Sequence, residues 1–239
     1  MIRLTWGAQK YLDIVNASLF FVVGRYPNLK IETRLEQEAR RYKDILQGSI
    51  LEDYFLLGLK SLSWIHWTKQ KCSKVPWIVK TDDDMVNNII KMGDLVNAVK
   101  HQKNTITCST KTEKVLREKT GTRIDKWVIP FDEWDEEYFP TNCWGVVYIF
   151  SSHVRDKLLE VYEKSNGGIF RIDDVFITGI LASMANVTHR DISDVISFYE
   201  GWDEDVMLTG NVWFGHIPPD NEALHKRRYW LWKRMEKNL

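Results

Sequence analysis

The stretch WIVKTDDDMVNNIIKMG (residues 77–93) sets three consecutive carboxylates, Asp82, Asp83 and Asp84, between an apolar run and a helical pattern. WIVK (Trp77–Lys80) reads as a buried strand, and the residues after it predict a helix beginning near Met85, with Met85, Ile89, Met92 and Val96 on one side. The carboxylates then lie beyond the carboxyl end of a strand, where ligands bind in α/β sheets. Residues two apart on extended chain point the same way, so Asp82 and Asp84 share a face and Asp83 turns to the other. Crowded carboxylates repel unless a cation compensates, and hard oxygens suit Mg²⁺ or Mn²⁺. The alternative is that Asp83 or Asp84 only caps the helix. Spacing leaves both readings open.

Outward from this stretch, strands alternate with helices. SLFFVVG (18–24) is strand-like, IETRLEQEARRY (31–42) is helical, and a short strand is expected near Asp44–Leu46. A helix follows with Phe55, Leu59, Leu62 and Ile65 as its buried stripe. NTITC (104–108), KWVI (126–129) and WGVVYIF (144–150) read as strands. SSHVRDKLLEVYEKS (151–165) reads as a capped helix ending near Gly167 and Gly168. This order predicts an α/β fold with a mixed sheet flanked by helices. A chain of 239 residues that is 44% hydrophobic is large enough for one compact domain. Its 33 Lys and Arg balance 33 Asp and Glu, which argues against a nucleic-acid partner. Three cysteines, Cys72, Cys108 and Cys143, allow one disulfide at most.

Further candidates lie downstream. In GGIFRIDDVFITGILASMA (167–185), Asp173 suits a helix N-cap, and Asp174 suits either capping or a general base shielded by Phe170, Ile172 and Phe176. His216, in NVWFGHIPPD (211–220), gains interest only if the acidic triplet holds a metal, because carboxylate with imidazole favours Mn²⁺ over Mg²⁺. Trp134, Trp144 and Trp202 sit in polar surroundings suited to sugar faces. Lys226, Arg227 and Arg228 read as a solvated helix face that could also reach phosphates.

The ordered series IRLTWG (2–7), FFVVG (20–24), YKDILQGSILEDYFLLGLKSLSWIHWTKQKC (42–72), KTDDDMVNN (80–88), KWVIPFDEWDEEYFPTNCWGVVYIFSSHV (126–154), IDDVFITGILA (172–182) and WFGH (213–216) resembles the β1,3-galactosyltransferase and β1,3-N-acetylglucosaminyltransferase family. The resemblance implies a Rossmann-like, nucleotide-sugar-binding fold of the glycosyltransferase-A type, with residues 1–110 as donor-binding half and 111–239 as acceptor-binding half of one catalytic domain. It implies transfer, with inversion, of galactose or N-acetylglucosamine from a UDP-sugar to the 3-hydroxyl of an acceptor glycan on a glycoprotein or glycolipid. Asp84 and His216 would bind Mn²⁺, Asp82 and Asp83 would contact ribose or donor sugar, and Arg3 and Lys60 would serve the donor side. Asp174 would be the base, with Trp144 and Asp173 at the acceptor.

The family implies the Golgi lumen and a membrane anchor. Measured against it, the chain opens inside the first motif, so the anchor, the stem and the first sheet strand are expected to be missing from it. Asp173 stands where glutamate is usual, and a cysteine expected shortly before His216 is missing. Cys72 and Cys143 are then the expected pair. A catalytically inactive sugar- or nucleotide-sugar-binding module derived from such an enzyme is the alternative.

Overall fold

The computed structural model describes residues 1–165, 167–198, 205–217 and 222–238. A 3-10 turn (Ile2–Leu4) and α1 (Gln9–Ile14) precede β1 (Phe21–Arg25), which α2 (Leu29–Tyr42) connects to its parallel partner β2 (Ile45–Leu51). Asn28 opens α2 by accepting the Lys30 N–H at 2.9 Å, and Lys43 closes it in the left-handed conformation at φ 56°. Then come α3 (Leu57–Lys71), β3 (Trp77–Thr81), β4 (Met85–Asn87), α4 (Ile89–Val99) and β5 (Thr105–Lys111). The second half holds β6 (Asn142–Ser151), α5 (Ser152–Lys164), a π-helix (Val175–Leu181) continued by α6 (Ala182–Met184), β7 (Thr188–Asp191), β8 (Ile196–Ser197), α7 (Asp205–Leu208), β9 (Phe214–His216) and α8 (Glu222–Met235).

The expected α/β fold with mixed sheets and flanking helices is present. β1 and β2 form one sheet, β3-β6-β5-β7 a second and β4-β9-β8 a third. β6 is antiparallel to both β3 and β5, while β7 runs parallel to β5. Residue 110 falls inside β5, so the central sheet joins the two halves of the sequence. One apolar cluster gathers Met85, Ile89, Phe214 and Trp232, and the other gathers Ile65, Tyr148, Phe150, Leu158 and Ile177. Each such side chain withdrawn from water contributes about 1.5–3 kcal/mol.

Several expectations are corrected. Met85 opens strand β4 instead of a helix, because β4 has an antiparallel partner in β9 more than a hundred residues later. The helix starts at Ile89 with Asn88 as its cap, accepting Lys91 N–H at 3.1 Å, so capping explains neither Asp83 nor Asp84. Its inner face is Ile89, Met92, Leu95 and Val99. KWVI is no strand: Arg123–Trp127 forms a 3-10 helix capped by the Thr122 side chain. α5 stops at Lys164, and Phe55 is exposed instead of lying in the buried stripe of α3. Cys143 bonds to Cys108, its neighbour across β5 and β6, and Cys72 is free.

Candidate active site

The acidic triplet sits where β3 leaves one sheet and β4 enters another. Asp82 N–H still donates to Val146 O of β6 at 3.0 Å, and Ile217 N–H donates to Asp84 O at 3.0 Å beyond β9. The Met85–His216 register therefore brings the imidazole beside the last carboxylate, with His216 Nε2 3.1 Å from Asp84 Oδ2. Asp84 Oδ1 is buried without a hydrogen-bond partner. An orphaned anionic oxygen is costly, and its position beside an imidazole nitrogen suits a cation. Among the described residues no group of three or more His, Cys, Asp or Glu is arranged around one point, and Asp84 with His216 is the pair they bring together here.

The other two carboxylates behave differently. Asp83 is exposed. Asp82 pairs with Lys80, whose ammonium also donates to Gly145 O. Burial pushes the Asp82 carboxyl up from its ordinary range, with Lys80 acting against that shift. Burial opposes the charge on Lys80, yet Asp82 and then Asp173 outweigh it and hold the ammonium above its usual value.

Lys80 leads across β6 to the second acidic pair. Asp174 accepts Val175 N–H at 2.9 Å at the start of the π-helix, so the cap is Asp174 and not Asp173. Asp173 instead accepts the Ser61 hydroxyl of α3 at 3.0 Å. Desolvation raises the Asp174 pKa above the ordinary 3.8, against the pull of Lys111, whose ammonium stands 3.4 Å from Oδ2. Gly145 of β6 packs beside the same carboxylate, where a Cβ would stand 3.5 Å from Oδ2 in ordinary contact. Trp144 carries Lys111 at 4.2 Å over its ring and touches Phe198, which packs edge-on to His216. This row of side chains connects Asp174 with the Asp84 corner. A π-helix in such a place is common at functional sites.

The remaining expected residues have partners of their own. Lys60 pairs with Glu52 at 2.6 Å, just past the carboxyl end of β2. Arg3 lies at the opposite, amino end of β1 and β2, held by Asp44 at 2.6 and 2.8 Å and by Glu38, with Phe21 and Tyr42 against its guanidinium. Its place is away from the strand ends that carry the triplet. Trp134 packs on Phe139 and Phe170, and Trp202 lies outside the described residues.

Sequence reasoning missed Lys80, Lys111 and Tyr148, whose buried hydroxyl has no partner. It also placed Arg228 on a solvated face. Arg228 is 1% exposed and donates to Asp83 O at 3.3 Å, and although burial lowers its pKa, Asp84 and Asp83 favour its charge. The one available signal was that arginine in EALHKRRYWLWKRM lies three residues before Leu231 and four before Trp232, both buried.

The galactosyltransferase family profile matches residues 1–193 and so ends before His216 and Arg228. Beta-1,3-galactosyltransferase 5 of Gorilla gorilla gorilla is 26% identical over 201 residues, which cover 84% of this chain and 65% of that protein. Its Homo sapiens counterpart is 25% identical, with 84% and 63% covered. Beta-1,3-galactosyltransferase 2 of Homo sapiens is 28% identical over 189 residues, with 77% and 43% covered. The chain thus spans 65% or less of the length of these relatives. Among solved structures, the crystal structure of a glycosyltransferase involved in the glycosylation of the major capsid of PBCV-1 superposes at TM-score 0.41 with 10% identity, over 92% of this chain and 99% of that one. Because the matched segment includes both acidic pairs and most of the sequence, the chain belongs to the galactosyltransferase family.

Proposed function

We propose that the chain is an inverting β1,3-glycosyltransferase, moving galactose or N-acetylglucosamine from UDP to the 3-hydroxyl of an acceptor glycan on a glycoprotein or glycolipid. The observation that carries this reading is the pair of unlike carboxylates joined through Trp144 and Phe198. Asp84 keeps an unpartnered oxygen beside His216, and Asp174 is a partly buried carboxylate with raised proton affinity. Asp84 and His216 would hold Mn²⁺, with Mg²⁺ the weaker fit for imidazole. When bound, the ion supplies positive charge to the departing diphosphate. Exposed Asp83 is free to meet ribose or donor sugar, and Asp82 is oriented for the same purpose by Lys80.

Asp174 then takes the proton from the acceptor 3-hydroxyl as that oxygen bonds to the anomeric carbon and the bond to UDP breaks on the opposite face. One displacement turns an α-linked donor into a β-linked product. Lys111 favours the ionised form of the base, and Asp173, held by the Ser61 hydroxyl, would stand at the acceptor. The Cys108–Cys143 disulfide suits an oxidising compartment, in keeping with the Golgi lumen. No helix among the described residues is long and apolar enough to cross a membrane.

The test is UDP release from UDP-galactose and UDP-N-acetylglucosamine with acceptor, with Mn²⁺ and with chelator. Metal-dependent release that Asp174→Asn abolishes is expected. Metal-dependent UDP binding without turnover would overturn this reading in favour of the inactive binding module.

A further inference from the structure

An exposed aromatic surface lies within electrostatic reach of Asp174 and Asp173. Tyr54 and Trp127 are each 39% exposed and Phe55 52%, and they come from two 3-10 helices, Tyr54–Leu56 and Arg123–Trp127. Trp127 Nε1 donates to the Tyr54 hydroxyl at 2.6 Å, and Lys126 Nζ lies 4.1 Å and 4.8 Å from the two ring centres. Nothing in core packing demands that these rings face water. Tyr54 also lies within reach of the acidic residues of the site: burial raises its pKa, Trp127 opposes the rise, and the charges of Asp174, Asp173 and Asp82 add to it.

The surface is tied to the base through Arg171, two residues before Asp173. Its guanidinium donates to Lys126 O at 2.7 Å and to Val128 O, pairs with Glu133 at 3.0 Å, and lies 5.5 Å from the Phe55 ring centre. From the other side, a Cβ at Gly58 would stand only 2.1 Å from Phe170 O, so the first turn of α3 is pressed directly against the segment leading to Asp173. Both contacts fix the rings relative to Asp174. A rigid aromatic surface at a set distance from a base is suited to a pyranose, whose apolar C–H face packs on a ring while its hydroxyls stay in water.

We propose that Tyr54 and Trp127 form the acceptor platform, binding a hexopyranose of the acceptor glycan and presenting its 3-hydroxyl to Asp174, with Arg171 as the strut that positions the platform. This rests on the transferase reading and goes beyond Trp144, which faces the Asp84 corner through Phe198. The test uses saturation-transfer NMR with methyl β-galactopyranoside and N-acetyllactosamine as probes, in the presence of UDP and Mn²⁺, on the native chain and on Trp127→Ala, Trp127→Phe, Tyr54→Ala and Arg171→Met. The expected result is saturation of the sugar C–H protons by the native chain, loss in Trp127→Ala and Tyr54→Ala, and retention in Trp127→Phe, which keeps a ring. Arg171→Met should raise the acceptor KM at least tenfold with UDP affinity unchanged, a split that general unfolding would not give. Equal saturation by native and Trp127→Ala would overturn the platform, as would no saturation by the native chain. Absence of UDP release with sugar binding intact would instead refute the transferase reading and leave the platform standing.

Discussion

The Asp84 corner and the Asp174 corner both consist of consecutive acidic residues at the start of an element, yet they are finished in opposite ways. At Asp84 one carboxylate oxygen has no hydrogen-bond partner, the other lies 3.1 Å from the His216 imidazole, and the buried Arg228 guanidinium adds positive charge nearby. At Asp174 the carboxylate is already satisfied by Val175 N–H and by the Lys111 ammonium. The first corner leaves an anionic oxygen unpaired, which under the proposed function a divalent cation would meet, whereas the second pairs its carboxylate within the fold, which under that proposal leaves it to gain and lose a proton. The same residue type thus meets two different environments, which the proposed function assigns to charge holding and to proton transfer.

The sharpest way to break this comparison is at the base. Asp174→Asn should lower transfer by about 10²–10⁴-fold, the usual contribution of general base catalysis, with UDP affinity in Mn²⁺ unchanged in calorimetry. Loss of both together would mean that the corners are not separate.

Next in size is His216→Ala, which should raise the Mn²⁺ concentration for half-maximal transfer by at least the 10–100-fold seen when supporting partners of metal ligands are lost. The change should be smaller in Mg²⁺, because imidazole favours the softer ion.

A subtler change is the pH profile. The Asp174 carboxylate is the active form and its pKa lies above the ordinary 3.8, so transfer falls as pH drops through that raised value. Lys111 favours the charged form, so Lys111→Met should move the acid limb to higher pH. A shift to lower pH would contradict the ion pair's assigned effect.

The smallest effect on the site is expected from replacing Cys108 and Cys143 by serine. Stability should fall by about 2–4 kcal/mol in denaturant titration, while the same change at free Cys72 leaves it nearly unaltered.

Which parts of this were legible follows from the range of the interactions. Trp77–Thr81, α2 and α3 declare themselves through local periodicity, and the triplet stands out by charge density alone. Met85 is misread because Met85, Ile89 and Met92 do have helical spacing, while the strand partner that overrides it lies at Phe214–His216. Trp127 and Val128 have strand-forming side chains, but the Thr122 cap winds the preceding residues into a 3-10 turn. The disulfide depends on the β5–β6 pairing, which no cysteine spacing reports. Arg228 is buried because α8 packs over β4 beside two aspartates, and Arg3 is held at the far end of β1 by Asp44. Both are products of tertiary placement.

The claim on which the two corners depend is that Asp84 and His216 together hold a divalent ion for the donor diphosphate. Electron paramagnetic resonance of Mn²⁺ with UDP measures this directly. The native chain should remove the signal of free aqueous Mn²⁺ in proportion to protein added, and Asp84→Asn should leave that signal in place. Equal uptake by both, or none by the native chain, would contradict the account.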